Sequence, residues 1–268
     1  MENWTDKQIN HLVAQWDSSI EMYYPQYLPM WREPEEHFRC LNEEWNLLDA
    51  VKFVEWYRYL VKEDLNILDL GGGTGWLSAF LSSYEKVGKI YFLDSSQFFL
   101  EKMFPEIVKL MGGKQNKIVP IKGLFSPLLL ADESLDMVVA SSSLHHAENL
   151  ESVLKEIYRV LKKNGKLIIL NETPYSNNHY LSLNIKQFMS IIRNLLLQNY
   201  RPISESISSS GCLYDPYLGD KCYPLWYWEK AIKNAKLKLT EVIKTPYLTN
   251  KKETKGIKLT HFVSEKQN

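Results

Sequence analysis

The stretch Asn66-Ile67-Leu68-Asp69-Leu70-Gly71-Gly72-Gly73-Thr74-Gly75-Trp76-Leu77-Ser78 runs from apolar residues into glycines and back into apolar residues at helical spacing. A strand handing over to a helix around a ligand has this pattern, because glycines bend the main chain tightly and let a ligand reach its N–H groups with no Cβ in the way. A P-loop is excluded, since no Gly-Lys-Ser/Thr follows. The dinucleotide fingerprint G-x-G-x-x-G/A is strained: its third position is Trp76 when counted from Gly71 and Ser78 when counted from Gly73.

Asp69 decides between ligands. A carboxylate two residues before the first glycine, at the carboxyl end of a strand, repels a pyrophosphate and attracts an ammonium or sulfonium group. Asp94 ends a second strand, Ile90-Tyr91-Phe92-Leu93-Asp94, 19 residues beyond Gly75, where a carboxylate can take both hydroxyls of a ribose. Together they describe a nucleoside with a positively charged, phosphate-free tail.

Working outward, short β-rich runs alternate with helical ones. Residues Leu65 to Leu70, Lys89 to Asp94, Lys117 to Ile121, Leu135 to Ser141 and Lys166 to Asn171 read as strands of a parallel sheet with helices on its faces. Val153, Leu154, Ile157, Val160 and Leu161 form one helical stripe, and Asn164-Gly165 supplies a left-handed exit from it. Two last strands are expected over Leu237 to Lys244 and Gly256 to Val263.

Upstream, Phe38, Leu41, Trp45, Leu48, Val51 and Val54 recur every three or four residues and predict one amphipathic helix from Pro34 to Val61. A weaker helix is expected over Asp6 to Ile20, with a ring-rich loop from Tyr23 to Trp31 between the two. Residues 175–223 interrupt the alternation with a helix from Leu181 to Gln198 and a serine-rich segment from Ser204 to Gly211; Pro224 then opens another helix. The expected organisation is an N-terminal cap over 1–63 and a main domain over 64–268, with 175–223 inserted as a lid.

These motifs resemble the class I S-adenosylmethionine-dependent methyltransferases, whose first motif D-x-G-x-G-x-G is matched by Asp69, Gly71, Gly73 and Gly75. The likeness continues through Asp94-Ser95-Ser96, Asp132-Glu133-Ser134-Leu135-Asp136, Ser143-Leu144-His145-His146 and Leu161-Lys162-Lys163-Asn164-Gly165, covering about Asn66 to Asn171. It implies an α/β, Rossmann-like seven-stranded sheet, mostly parallel with its last strand antiparallel, and S-adenosylmethionine as cofactor. Asp69 and the glycines would then lie near the methionine portion and Asp94 with Ser95 at the ribose. Gly123 matches the family's glycine after the third strand, but Leu124 stands where the family often has an acid for the adenine amino group. Adenine recognition then falls to main-chain groups and apolar contact from Leu124 or Phe125, and Ser141, ending the fourth strand, counts as a further cofactor contact.

Methyl transfer from a sulfonium is an in-line displacement, so the protein must align the nucleophile, exclude water and, for a hydroxyl, remove a proton. His145, His146 and Glu172 fall at the carboxyl ends of the fourth and fifth strands and are the catalytic candidates; as alternatives, a histidine pins its loop and Glu172 caps a turn. Tyr27, Trp31, His179 and Tyr180 are candidate substrate contacts from the covering segments. The rings among them equally suit stapling the added helices onto the core.

Lysine plus arginine and aspartate plus glutamate number 32 each, which gives no broad attraction for nucleic acid or an anionic membrane and favours a small-molecule acceptor. Three cysteines, Cys40, Cys212 and Cys222, show no metal-ligand spacing, so no metal is expected. The start lacks a basic-then-apolar leader and no apolar run reaches bilayer length, which predicts a soluble cytoplasmic protein. Exposed rings near the N-terminus could serve a homodimer. The expected activity is methyl transfer to oxygen or nitrogen of a small metabolite; the alternatives are a silent methyltransferase-like binding protein and an NAD-dependent oxidoreductase.

Overall fold

Alternating apolar runs of five to eight residues place their β-branched and leucine side chains on both faces of a central sheet, as buried parallel strands require. The computed structural model describes residues 1–4, 28–197, 212–214, 220–248 and 256–267. The strands are β1 (Glu2–Asn3), β2 (Leu65–Leu70), β3 (Val87–Asp94), β4 (Ile118–Lys122), β5 (Leu135–Ser141), β6 (Leu161–Glu172), β7 (Leu213–Tyr214), β8 (Lys221–Cys222), β9 (Leu237–Leu248) and β10 (Lys258–Lys266). Among the described residues, eight of them form one sheet in the order β1-β4-β3-β2-β5-β6-β10-β9, and β7 and β8 make a separate two-stranded ribbon.

Strands β2 to β6 run parallel, and β10 is antiparallel to both β6 and β9. The order reverses between β2 and β5, so the crevice at their carboxyl ends lies at the switch point where ligands of such sheets bind. The seven expected strands are all present. The eighth, β1, pairs in parallel with β4 because Trp4 buries its ring in the core and its main-chain N–H donates to Lys122 O at 2.7 Å.

Helices cover both faces. One core layer packs the helix Leu150–Val160 and the helix Leu225–Asn234, through Leu154, Ile157, Trp228 and Ile232, against Leu68, Val138 and Phe262. The other packs Leu41, Val51, Val54 and Trp56, together with the helices Trp76–Ser82 and Phe104–Leu110, against Ile67, Val139 and Ile168. Residues on either side of position 63 thus share one core. Asp136, in the fourth-strand motif, ties the starts of β2 and β5, accepting from Asn66 N at 3.1 Å and pairing with Lys162 at 2.7 Å.

The single helix expected over Pro34 to Val61 is corrected. It ends at Glu43, resumes over Leu47–Ala50 and continues as two short 3-10 turns, Val51–Phe53 and Trp56–Arg58. Asn46 causes the break: it sits at φ 59° and its Nδ2 donates to Leu248 O at 2.8 Å, a tertiary bond that outweighs helix continuity here. The periodic residues Leu41, Val51 and Val54 are nevertheless buried.

Part of the ring-rich loop is also helical, since Leu28–Arg32 forms a helical turn with Pro29 where a missing N–H costs nothing. Asn164 does adopt a left-handed φ of 62°, but three residues into β6, at a register shift between β5 and β6, and not at the helix end. The helix of the insertion starts earlier than expected, over Asn177–Leu197. The expected elements over Asp6 to Ile20 and Ser204 to Gly211 lie outside the described residues. No helix among the described residues is long and apolar enough to cross a membrane.

His261 on β10 is fully buried and links three elements: its Nε2–H donates to Ala50 O at 2.8 Å and its Nδ1 accepts from Asn171 N at 3.0 Å. Burial holds its pKa below the ordinary 6.5, outweighing the main-chain contacts with Ala50 and Thr260 that favour the charge. The unfolded chain therefore binds a proton on this ring before the folded one does, and the ring's contribution to stability is present above 6.5 and lost as pH falls toward its folded pKa. Denaturant unfolding at pH 7.5 and 5.5 should show a smaller loss of stability in His261→Gln than in the parent chain.

Candidate active site

At the end of β2 the chain turns through Gly71, Gly73 and Gly75, all at positive φ, and Gly75 opens the helix Trp76–Ser82. Asp69 lies beneath this turn with no exposure. Ser78, from the first turn of that helix, donates its hydroxyl to Asp69 Oδ2 at 2.7 Å. Asp69 Oδ1 has no hydrogen-bond partner among the described residues. Burial pushes the Asp69 carboxyl up to about 7; Ser78 opposes this, and the charge of Asp94 adds to it.

Asp94 clamps the turn from β3, with Oδ2 accepting from Gly73 N at 2.8 Å and Oδ1 from Ser96 N at 2.8 Å. Ser96 is the serine that holds Asp94; its hydroxyl also accepts from Phe99 N at 3.1 Å. A Cβ on Gly73 would meet nothing within 4 Å, so the turn is open at that point. A Cβ on Gly71 would come within 2.7 Å of both the Phe125 ring and Ser143 Cβ. Phe125 thus reaches the glycine turn itself, while Leu124 is half-buried and Gly123 N donates to Asp94 O at 2.9 Å.

The turn is also braced from the N-terminal segment. His37 Nδ1–H donates to Met30 O at 2.9 Å and its Nε2 accepts the Thr74 hydroxyl at 2.8 Å. Both ring nitrogens are committed in the neutral form, and burial lowers the His37 pKa to about 4. Trp31 belongs to this brace: its ring lies 5.9 Å from His37, 5.7 Å from Trp45 and 6.0 Å from Phe99, so here the rings staple the added helices to the core. Nothing in local sequence marks His37, because its partner Thr74 is 37 residues away.

Next to the turn, β5 and β6 end in a polar cluster. Ser143 donates its hydroxyl to Leu70 O at 2.8 Å, fixing the loop that follows β5 against the end of β2. Ser141 accepts from Asn171 Nδ2 at 3.0 Å, and Ser142 donates to Asn171 O at 2.9 Å. Both Ser142, at φ 47°, and Asn171, at φ 56°, hold the left-handed backbone that marks functional strand ends.

Glu172 is 1% exposed and accepts from Leu144 N at 3.1 Å and His145 Nδ1 at 2.8 Å. The His146 ring lies 4.2 Å from that of His145. Asp220, from the segment leading into β8, joins them, with Oδ1 3.0 Å from His146 Nδ1 and 4.0 Å from His145 Nε2. Burial opposes a charge on His145, but Glu172 and then Asp220 outweigh it and raise its pKa, whereas burial and the neighbouring His145 lower that of His146. Sequence reasoning missed Asp220, which stands 74 residues from His146 with no motif around it.

Two of the remaining candidates pack against neighbouring rings. His179 is exposed at the start of the insertion helix, with its ring edge-on to Tyr175 at 5.6 Å, and Tyr180 lies 5.5 Å from the Trp226 ring. Tyr27 lies outside the described residues.

Residues 68–169 match a family described as a methyltransferase domain, a span that holds the glycine turn, Asp94 and both histidines. Over this span the chain is similar to methyltransferases that use S-adenosylmethionine. Among curated proteins it is 26% identical over 177 residues to sterol 24-C-methyltransferase erg-4 of Neurospora crassa, covering 63% of this chain and 45% of that one. It is 30% identical over 154 residues to the ubiquinone/menaquinone biosynthesis C-methyltransferase UbiE of Haemophilus ducreyi, covering 55% of this chain and 59% of that one. The chain thus spans about half the length of these relatives. Among solved structures, a methyltransferase of Aquifex aeolicus aligns with a TM-score of 0.55 at 17% identity over 91% of this chain and 99% of its own. A chain of the Haloferax volcanii complex between the Trm112 activator and a methyltransferase aligns at 0.58 and 17%, over 89% and 96%. At such identities the structures establish the fold.

The residues of the site fit S-adenosylmethionine, the cofactor of the methyltransferases that this span resembles. Asp69 Oδ1 is a buried oxygen with unused lone pairs, both Asp94 oxygens stand at the turn, and Gly73 faces open space. The cost of burying Asp69 follows from its pKa: because the folded value of about 7 exceeds the ordinary 3.8, ionisation of this group destabilises the fold as pH rises between the two. Asp69→Asn should therefore raise stability at pH 8 by about 1 kcal/mol or more while weakening S-adenosylmethionine about tenfold or more. Thermal unfolding and calorimetric titration of one variant measure both.

Proposed function

We propose that the protein transfers the methyl group of S-adenosylmethionine to a hydroxyl oxygen of a small molecule. The observation that carries this reading is the His145–Glu172 pair, 2.8 Å apart, standing with His146 and Asp220 beside the glycine turn through Ser143. A hydroxyl must shed its proton to become an effective nucleophile, and such a cluster is the equipment for that step.

When bound, S-adenosylmethionine supplies an electrophilic methyl group on sulfur. Asp69 holds the cationic tail, Asp94 the ribose hydroxyls, and main-chain groups from Gly123 to Phe125 the adenine. Phe125 excludes water beside Gly71. Glu172 fixes the ring of His145 by taking its Nδ1 proton in a hydrogen bond, and His146, its pKa held below 6.5, is the ring able to accept the acceptor's proton at neutral pH. Balanced charge, 32 basic against 32 acidic residues, supports a small acceptor over nucleic acid.

A carbon acceptor is the second reading, supported by the names of two relatives, both C-methyltransferases. An acidic carbon also needs a base, so acceptor competition, and not the cluster, separates the two. Calorimetry should detect S-adenosylmethionine and not NAD, and Asp94→Ala should weaken the former by about 1 to 3 kcal/mol for each ribose hydrogen bond removed. Radiolabelled methyl transfer onto a panel of phenols, sugars, amines and enolisable carbons should succeed with hydroxyl acceptors, and Glu172→Gln should slow it about 100-fold. Tight NAD binding with none for the sulfonium, or full turnover in Glu172→Gln, would sink the proposal.

A further inference from the structure

We propose that His145, His146 and Asp220 form a binding site for one divalent first-row transition-metal ion, with Zn²⁺ and Mn²⁺ as the fitting cases. The three side chains offer one ligand atom each, all lying within 4.8 Å of one another. An ion bound at about 2.0 to 2.2 Å from nitrogen and oxygen ligands sets those ligands a little over 3 Å apart. The His146 Nδ1 to Asp220 Oδ1 separation of 3.0 Å already matches, and that from His145 Nε2 to Asp220 Oδ1, 4.0 Å, needs only a small side-chain adjustment.

Two features of the surroundings point the same way. Metal-bound imidazoles commonly donate their other N–H to a carboxylate, which fixes the tautomer and turns the remaining lone pair toward the ion. Glu172 does this for His145: it is buried, is itself held by Leu144 N, and takes the Nδ1 proton, leaving Nε2 facing Asp220. Asp220 Oδ1 is buried between two imidazoles and takes no donor of good geometry among the described residues.

Asp220 is not placed there by chance of a loose loop. Its neighbour Lys221 donates to Ala147 O at 2.6 Å, directly after the histidines, and Cys222 Sγ donates to Thr173 O at 3.3 Å, directly after Glu172. Both ends of the cluster are thus stitched to the ribbon that carries the carboxylate. Two imidazoles and one carboxylate leave coordination positions open and suit Zn²⁺ or Mn²⁺; Mg²⁺ and Ca²⁺ prefer oxygen alone.

What the ion does there rests on the hydroxyl-acceptor reading above; the site itself does not. A hydroxyl oxygen in an open position would lose its proton to water more readily while its oxygen stays on the ion, and the imidazoles would then serve as ligands in place of a base.

The test uses the full chain, stripped with a chelator and titrated with Zn²⁺ and with Mn²⁺ by calorimetry, alongside a separate titration with S-adenosylmethionine. The proposal expects one equivalent of ion in the micromolar range or tighter, no competition from Mg²⁺, and a rise in melting temperature on metal addition. Asp220→Asn and His146→Ala should each weaken the ion at least about tenfold, and Glu172→Gln about 10- to 100-fold, while Cys212→Ser leaves it unchanged. Should Asp220→Asn not fold, the spectrum of bound Co²⁺ in the parent chain must show imidazole nitrogen ligation. Absence of stoichiometric binding, binding that survives in both ligand variants, or binding abolished only by Cys212→Ser would overturn the site. S-adenosylmethionine binding and turnover that persist without any ion would sink the metal alone and leave the methyl-transfer reading standing.

Discussion

A carboxylate buried without a compensating charge governs this structure. Asp69 has one hydroxyl, that of Ser78, against its charge and a second carboxylate, Asp94, close enough to oppose it further. Such a group costs free energy when charged and is stabilised when a cation comes within reach, which is why Asp69 suits an onium-bearing ligand. Its neighbours give way to it. A side chain on Gly72 would come within 2.8 Å of Asp69 Oδ2 and 2.6 Å of the Phe92 ring, so the turn must be nearly bare of side chains where the carboxylate stands.

Two neutral imidazoles keep that turn and its neighbouring strand ends in place. His37 bonds Thr74 to the N-terminal helices, and His261 bonds the turn at Asn171 to Ala50 on the opposite side. In each ring one nitrogen donates and the other accepts, so neither can take a second proton without losing a bond. Burial, which lowers both pKa values, and the hydrogen-bond pattern therefore state the same constraint. Segments outside residues 68–169 thereby contribute rigidity to the site, consistent with the Trp31 ring cluster acting as a staple.

The polar cluster behaves differently, because its two histidines are pulled apart. Glu172 and Asp220 favour charge on His145, and that charge in turn disfavours charge on His146. The pair can therefore serve as a proton donor and acceptor side by side, or as two ligands sharing one carboxylate. Either chemistry requires Asp220, which reaches the site only because Lys221 and Cys222 anchor its ribbon to the loops after β5 and β6.

The strand β2, the glycine turn, Asp69, Asp94 and the crossover stripe from Val153 to Leu161 were legible in sequence, since each depends on residues close along the chain. Periodicity and glycine placement encode such local geometry directly. Periodicity also identified the buried face of residues 34–61, but it could not reveal that a hydrogen bond from Asn46 to Leu248 interrupts the helix. Sequence marks Asp94 as a strand end, but not that its carboxylate takes the N–H groups of Gly73 and Ser96. His37, His261 and Asp220 carry no local signal at all. Their partners lie 37, 211 and 74 residues away, and one side chain in a neutral background leaves no pattern until folding brings its partner near. Sequence alone thus determined the sheet and the kind of cofactor, because short-range spacing specifies backbone shape and charge sign. Tertiary structure decided how the turn is braced and which polar groups gather at the ends of β5 and β6, because those depend on distances that chain order does not encode.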